Sequence, residues 1–515
     1  MAFDPLTTTA TELQGLLADQ VTTSEAIIDR YLDQIAKYEP ALKAFISVAL
    51  HELLGATARR LDEERRNGRV RSRLHGIPVV LKDCFVTGPE LGLETTAGSW
   101  AFVGAKAKCN AAIVQRLVDA GMIVLGKTNM SEFAGIKAST AMPGWSAYRG
   151  QTLSPYVGLI EEGEPLLGHS APGGSSTGSA VSVAAGFAPL ALGAETIGSI
   201  ITPASRAALY AIKPTVGVQN TQGIFCISDF FDSPGPMAKS TLDLAAVMDI
   251  LMPHRAFLDQ VMSLKKRDAA VARWDGSAGV AFVDPRIWKT EGDTMVRHRA
   301  GTLEQMIRDY EAMAVDLQEN GCPLKFPVEL EATTELTVDG EQAIMPISFW
   351  EFKNICIPRF IAAFDEASLA VHSLEDMVEF NETNKEKCLP EPYGEQNYLL
   401  RALHDTPETT EQISHLRAGL RAKARRILNR VLDKTACDMI VGPADSDLCI
   451  HAAAAGYPVA TVPLSRLLYN KRPFGLCLVA GENQEHVLLR FMACYEDFLE
   501  EFGRGRAVPD LSWVQ

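Results

Sequence analysis

The chain has 515 residues, enough for a large buried core or roughly two to four average domains. Hydrophobic residues make up 47% and charged residues 22% of it, which is ordinary globular usage and excludes a disordered or fibrous protein. The net charge of −15 disfavours nucleic acid as a partner unless a local basic patch exists. The best candidate patch is the arginine-rich segment 417–430, but its helical spacing favours a solvated helix face.

No segment is typical of secretion or of a membrane span. The start, MAFDPLTTTATEL, lacks a basic region followed by an apolar stretch. The longest nearly apolar run, 180–194, falls short of the ~20 residues that a span needs. Ten cysteines form no C-x-x-C pair and no cluster with histidine, as is typical of free thiols in a reducing compartment. We therefore predict a soluble, cytoplasmic protein.

The first half of the chain predicts helices that alternate with short buried strands. Thr22-x-x-Glu25 is typical of a capping box, and it opens a helix that ends near Pro40. Apolar runs of strand length follow at 77–81, 122–125 and 189–194, with a helical pattern over 111–120. Strands that alternate with helices indicate an α/β protein with a largely parallel, buried sheet.

The second half predicts charged amphipathic helices and then a return of strands. The helices span 294–320, 374–384 and 409–433, strand-like runs follow at 439–442, 459–462 and 476–479, and a last helix begins at 485. We expect a single domain over 1–515. It would consist of N-terminal helices (1–59), an α/β core (about 60–285 and 435–500) and a helical insertion (about 286–434). The insertion contains Phe349, Trp350, Phe352 and Phe360, which could wall an apolar pocket but are more often ordinary core.

Two short motifs fit known expressions but lack the required context. Gly121–Thr128 matches a P-loop, yet the four residues between its glycines are themselves the predicted strand. Gly174–Gly178 matches the nucleophile elbow of α/β-hydrolases around Ser176, yet the residues before it, GHSAP, predict no strand. Of the later histidines that an elbow would need, neither His451 nor His486 stands out as a base. Both readings remain as disfavoured alternatives.

Two other serines lie at predicted helix starts. From 176 to 187 nearly every residue is small, so this helix is predicted to be buried close to its neighbours. The helix start at Ser175 offers unpaired amides and the positive end of the dipole. Pro203 suits the first turn of a second helix, which would begin after Ser199. Joined by one crossover, the two serines can lie side by side at one end of a parallel sheet, where open α/β sheets place their sites.

Several segments, in this order, resemble the amidase signature family over most of the chain. They are GIPVVLKDCF, TTAGSWAF, GKTNMSEFA, PGGSSTGSAVSVAAGF, ALGAETIGSI, IKPTVGV, DSPGPMAKSTLDLAAVMDIL, LEDMVEFNE, AGYPVATVPL and PFGLCLVA. The resemblance implies the amidase signature fold, which is α/β with a large, mostly parallel mixed sheet covered by helices. It further implies that Lys82 is the catalytic base, Ser175 a bridging serine in a cis peptide, and Ser199 the nucleophile.

The resemblance also implies an oxyanion hole and no cofactor or metal. The backbone amides around Thr196, Ile197 and Gly198, with that of Ser199, would stabilise the oxyanion, and Ser175 would also contact the substrate. Gly174 and Ser176 would support these residues.

The residues at these positions suit the implied chemistry. A serine hydroxyl is too weak an acid to ionise alone at neutral pH. A lysine can take its proton if burial lowers the lysine pKa from ~10.4, and Lys82 ends an apolar strand. Asp83 follows directly but points to the opposite face of the strand, so it need not pair with Lys82.

Three departures from the family pattern concern specificity. Thr177 replaces a more usual glycine, and Ile201 stands where many members have an arginine, which disfavours a substrate with a carboxylate there. The segment 144–168 is longer than in many members and could shape the pocket mouth or be a tolerated surface excursion.

The sequence thus predicts a serine amidohydrolase that cleaves a small-molecule carboxamide through an acyl-enzyme on Ser199. Acyl transfer to an amine and ester hydrolysis are the alternatives on the same triad. A non-catalytic binding protein and one member of an amidotransferase complex are alternatives of another class. The sequence leaves a homodimer open.

Overall fold

The computed structural model describes residues 3–140, 142–164, 168–253, 255–265, 273–274, 278–288, 299–407 and 409–514. Its strands are β1 (Phe45–Val48), β2 (Pro78–Lys82), β3 (Ile123–Thr128), β4 (Trp145–Ser146), β5 (Gly150–Gln151), β6 (Leu190–Glu195), β7 (Tyr210–Lys213), β8 (Ser233–Ala238), β9 (Val280–Val283), β10 (Leu324–Val328), β11 (Thr337–Val338), β12 (Glu341–Gln342), β13 (Met439–Pro443), β14 (Val459–Arg466) and β15 (Pro473–Ala480).

The helices cover the sheet and make up most of the predicted insertion (about 286–434). They are α1 (Ala10–Ala18), α2 (Ser24–Leu42), α3 (His51–Arg66), α4 (Ala112–Asp119), α5 (Thr177–Ala184), α6 (Ile201–Arg206), α7 (Thr241–Leu251), α8 (Phe257–Lys265), α9 (Thr302–Glu319), α10 (Ile344–Glu351), α11 (Ile357–Ile361), α12 (Leu374–Thr383), α13 (Lys385–Cys388), α14 (Asn397–His404), α15 (Thr410–Thr435), α16 (Leu448–Ala455) and α17 (Glu485–Glu501). Over the described ranges, no helix is long and apolar enough to cross a membrane.

An eleven-stranded mixed sheet forms the centre of the molecule, in the order β1-β3-β2-β6-β8-β7-β14-β15-β13-β9-β10. The neighbours β3, β2 and β6 are parallel, as are β13, β9 and β10, and the remaining neighbours pair antiparallel. The predicted large mixed sheet covered by helices is confirmed. Its middle contains more antiparallel pairs than the alternation of strands and helices predicts. The reason is that β8 follows β7, and β15 follows β14, without an intervening helix.

Burial explains why the strands nearest the site are almost continuously apolar. Every residue of β2 and of β6 is buried, as expected for strands that are covered on both faces. Helix α5 is buried along its whole length. A Cβ atom on Gly178 would lie 2.3 Å from the Ala44 carbonyl oxygen and 2.5 Å from that of Asn129. The small residues of α5 therefore allow its backbone to approach the sheet.

The first long helix differs from the prediction at its N-cap and ends near Pro40 as predicted. Its N-cap is Thr23, not Thr22, because the Thr23 side chain accepts a hydrogen bond from the Ala26 amide. The helix continues to Leu42, with Pro40 inside its last turn. A proline so close to the end removes few helical hydrogen bonds.

Strands also occur in two segments that were predicted to be helical. β1 lies in the N-terminal segment and pairs with β3, and β10 lies in the insertion and pairs with β9. Both are short edge strands of the large sheet, and β10 contains a proline, so their sequence signals are weak. The predicted start of helix 294–320 lies outside the described residues, and its described part is α9.

The aromatic side chains of the insertion are mostly core. Phe349, Phe352 and Phe360 are almost completely buried, and the Phe360 ring centroid lies 5.1 Å from those of both Phe102 and Phe225. These contacts pack the segment around α10 and α11 against residues of the first half of the chain.

The basic segment 417–430 is not a free patch. Each of four arginines on this face of α15 contacts a carboxylate or backbone carbonyls: Arg417 contacts Glu351, Arg421 contacts carbonyls, Arg425 contacts Glu482 and Arg430 contacts Glu331. The face is therefore largely neutralised, which gives no support to a nucleic-acid site.

Candidate active site

Lys82 lies at the end of β2 with its side chain fully buried. Its Nζ atom lies 2.8 Å from Ser175 Oγ and donates to the Ala194 carbonyl oxygen at 2.9 Å. Burial lowers the pKa of Lys82, although the carboxylates of Asp232 and Glu195 oppose that effect. A buried amine in contact with a hydroxyl can act as a general base.

Ser175 follows a cis peptide bond from Gly174, as the resemblance implies. Its carbonyl oxygen accepts a hydrogen bond from the Ser131 amide at 3.1 Å. A Cβ atom on Gly174 would lie 2.7 Å from Ser131 Oγ, so glycine is the residue that fits there. These contacts hold the Ser175 side chain against Lys82.

Ser199 lies in the tight turn between β6 and α6 and is 9% exposed. Its carbonyl oxygen accepts a hydrogen bond from the Ser176 amide at 3.0 Å, which places the backbones of the two serine segments side by side. In the part of the chain that the structure describes, no hydrogen bond joins the Ser199 hydroxyl to Ser175. The structure thus brings the two segments together, and the proton path between the two hydroxyls remains a prediction.

The turn before Ser199 provides free backbone donors. The amides of Thr196, Ile197, Gly198 and Ser199 have no acceptor among the described residues. The carboxylate of Glu195 instead accepts hydrogen bonds from the backbone amides of Ile200, at 2.7 Å, and Ile201, at 2.9 Å. These bonds close the turn at the start of α6. Unpaired N–H groups beside a nucleophile are what an oxyanion hole requires.

Ser176 is occupied by structural hydrogen bonds. Its hydroxyl donates to the Ala194 carbonyl oxygen at 3.1 Å and lies 3.3 Å from the Ala194 amide. The neighbouring Thr177 hydroxyl donates to the Gly173 carbonyl oxygen at 2.6 Å, so this departure from the family pattern is accommodated locally. Ile201 is fully buried.

The structure supports neither a P-loop at 121–128 nor a histidine base for a nucleophile elbow at Ser176. The P-loop match contains β3, whose Lys127 is buried and lies 3.2 Å from Asp83 Oδ1 instead of facing a phosphate site. The same pair explains why Asp83 does not contact Lys82. His451 is buried on α16 with its Nδ1 atom unpaired in the described structure, and burial lowers its pKa to about 4. His486 lies on α17.

Sequence reasoning missed three charged residues at the same sheet edge. Glu195 ends β6, Lys213 ends β7 and Asp232 immediately precedes β8. All three are buried. A charged residue at the end of an apolar strand is the signal that could have found them, because it is also the signal that singles out Lys82.

A buried ionic network lies at the C-terminal end of α6. Asp445 lies between Arg206, at 3.1 Å, and Arg472, at 2.8 Å, and all three side chains are inaccessible. Arg206 also donates to the carbonyl oxygens of Gly168 and Ala171, in the loop that leads to Ser175. The network therefore connects α6, which follows Ser199, to the loop that precedes Ser175.

We expect Asp445→Asn to lower the free energy of unfolding by about 3–5 kcal/mol, because it leaves two buried guanidinium groups without a counter-charge. Burial alone would raise the pKa of Asp445, but the charges of Arg206 and Arg472 hold it well below its usual range. The ionic stabilisation is thus full above the unfolded pKa of ~3.9 and is lost as the pH falls through the folded pKa. Urea unfolding at several pH values measures both effects.

Asp316→Asn, which breaks a surface pair with Arg504, is the matched control and should have a much smaller effect on the free energy of unfolding. Equal losses in both variants would contradict the expectation.

Comparison with known proteins gives consistent matches. The family model described as Amidase matches residues 26–318, more than half of the chain. A putative amidase of Schizosaccharomyces pombe is 28% identical over 96% of this chain and 85% of that protein. The crystal structure of native peptide amidase from Stenotrophomonas maltophilia superimposes with a TM-score of 0.80 and 30% identity, and covers 98% of this chain and 99% of that one. One component of the glutamyl-tRNA(Gln) amidotransferase of Chloroflexus aurantiacus is 34% identical over 60% of each protein.

Proposed function

Because this chain belongs to the amidase family, we propose that it hydrolyses a linear carboxamide through an acyl-enzyme on Ser199. The chain is an amidase-family hydrolase that acts on carbon–nitrogen bonds. The proposal of an acyl-enzyme on Ser199 rests mainly on one observation. The buried Lys82 amine lies 2.8 Å from Ser175 Oγ, beside the segment that contains Ser199.

In the acylation step, uncharged Lys82 takes the proton of Ser175 as Ser175 takes that of Ser199. Ser199 Oγ forms a bond to the carbonyl carbon, and the oxygen becomes an oxyanion that the amides of Thr196 to Ser199 stabilise. The carbon–nitrogen bond then breaks. The proton passes from Lys82 through Ser175 to the departing nitrogen, which leaves as ammonia or an amine.

In the deacylation step, water replaces the amine. The same relay removes a proton from the water as it attacks the ester carbon. The bond to Ser199 breaks, Ser199 regains its proton, and the carboxylic acid is released. Because the buried Ile201 offers no charge beside the nucleophile, we propose a substrate without a carboxylate at that position.

We expect the purified chain to release ammonia and acid in equal amounts from primary amides, and chelators to leave that turnover unchanged. The substrate panel should contain aliphatic, aryl and peptide amides with their matching esters. Peptide amides are included because the similar crystal structure is that of a peptide amidase. Ammonia release and acid formation are measured with and without a chelator.

The same panel separates the alternatives. With hydroxylamine added, hydroxamate that exceeds the acid would favour acyl transfer. Faster cleavage of every ester than of its amide would favour an esterase. Turnover that appears only when partner chains are added would favour a role within an amidotransferase complex. Loss of activity with a chelator would contradict the metal-free mechanism.

A further inference from the structure

Three buried polar atoms beside the candidate site have no hydrogen-bond partner within the described structure. They are Lys213 Nζ, Glu195 Oε1 and Asp232 Oδ1. Strands β2, β6, β8 and β7 are consecutive in the sheet, and their relative directions bring Lys82, Glu195, Asp232 and Lys213 to the same edge. Two buried lysines and two buried carboxylates thus lie at one edge of the sheet.

We propose that Lys213 is a positioning residue for the base: its ammonium balances Glu195 and Asp232 and thereby keeps Lys82 uncharged. This inference rests on the proposed function, in which Lys82 takes a proton from Ser175. Lys213 itself is fully buried at the end of β7 and touches no reacting atom in that mechanism.

The thiols near the two lysines carry no charge at neutral pH. Cys84 and Cys226 face Lys82, and Cys449 faces Lys213. Burial raises the pKa of Cys84 to about 12 and also raises that of Cys226 well above its usual value. The pKa of Cys449 is likewise well above its usual value, chiefly because of its contact with the neighbouring thiol of Cys477. The electrostatic balance therefore depends on the carboxylates and the cations.

The remaining charges balance only when Lys82 is neutral. Glu195 and Asp232 face both lysines, and Arg421 also faces Lys213. Arg421 is held by three backbone carbonyls, so its position is fixed. With Glu195 and Asp232 ionised, the two carboxylates cancel the two cations Lys213 and Arg421, and a protonated Lys82 would add an uncompensated buried charge. Burial raises the pKa of Asp232, and the charge of a nearby lysine opposes that effect.

Burial lowers the pKa of Lys213, but the nearby Glu195 and Asp232 favour its charged form. Without the Lys213 charge, the carboxylates would attract a proton to Lys82 and raise its pKa. Without the Asp232 charge, the pKa of Lys82 would fall. The two substitutions therefore act in opposite directions on the acidic limb of the rate profile, where activity rises as Lys82 loses its proton.

The test is the pH dependence of kcat/KM for the wild type, Lys213→Met and Asp232→Asn, on an amide that the wild type cleaves. We expect the acidic limb to move up by about one pH unit in Lys213→Met and down by about one unit in Asp232→Asn. Lys213→Arg keeps the charge and should restore a limb close to that of the wild type.

Lys239→Met is the matched control. Lys239 is a buried lysine that follows the other end of β8, and its ammonium contacts backbone carbonyls near the N-terminus. Six residues of strand separate it from Asp232, which is about 20 Å. Its loss should leave the acidic limb unchanged even if the protein becomes less stable.

Circular dichroism establishes that each variant is folded. Limbs that stay in place, or that move in the same direction in both variants, would overturn the inference. If Lys213→Met does not fold, an unshifted limb in folded Asp232→Asn would overturn it as well. A wild type that cleaves no amide would overturn the proposed function itself, which distinguishes the two failures.

Discussion

Ser199→Ala is expected to abolish labelling by a fluorophosphonate probe and to lower kcat by at least about 10⁴-fold. The probe requires an activated serine, and acyl-enzyme formation on Ser199 is the step that the variant removes. The hydroxyl is small and 9% exposed, so its loss should leave the fold intact. Intact-mass and peptide mass spectrometry would locate the adduct, and amide hydrolysis would give the rate.

Ser205→Ala is the matched control for this experiment. Ser205 lies on α6, six residues after Ser199, and its buried hydroxyl has no partner in the described structure. Labelling and turnover should persist in this variant. An adduct on Ser176 instead of Ser199 would revive the nucleophile elbow of an α/β-hydrolase and sink the proposed triad.

Lys82→Met is expected to lower kcat/KM by about 10³-fold, because it removes the general base but retains the volume of the side chain. The residual activity should lack the acidic limb that deprotonation of Lys82 gives the wild type. Burial already lowers the pKa of Lys82, so an apolar replacement suits its surroundings and the fold should survive. The pH profile and the circular dichroism spectrum provide the two measurements.

Lys127→Met separates this effect from the general loss of a buried lysine. Lys127 lies on the adjacent strand β3, opposite Leu81, and pairs with Asp83. Breaking that buried pair should cost about 3–5 kcal/mol of stability while the folded fraction keeps its turnover. If Lys127→Met lost as much activity per folded molecule as Lys82→Met, the role of Lys82 as base would be contradicted.

The sequence was sufficient to predict the secondary-structure elements nearest the candidate active site. The strand before Lys82, the buried small-residue helix after Ser175 and the turn at Ser199 are all present, and each was predicted from a continuous local pattern. The cis bond at Ser175 and the approach of Lys82 were expectations from the resemblance, and the structure contains both. Local sequence patterns predict these elements because burial on both faces restricts which residue types each position can accommodate.

The order of strands could not be derived from the sequence. Glu195, Asp232 and Lys213 come together only because β6, β8 and β7 are neighbours in the sheet, and nothing in the segments themselves specifies that order. The contact of Asp445 with Arg206 likewise joins residues 239 positions apart. Tertiary pairing, not propensity, decides these contacts, so a single sequence gives them no local signal.

The pairing of β7 with β14 has a consequence for biosynthesis. Lys213 is opposite Val459 in that pair, so nearly 250 residues must be translated before the earlier strand meets its neighbour. At ribosomal speeds this interval is roughly 10–50 s. During this interval, β7 has one strand edge without its neighbour. We therefore expect the sheet to be completed only after the late strands have docked on β7.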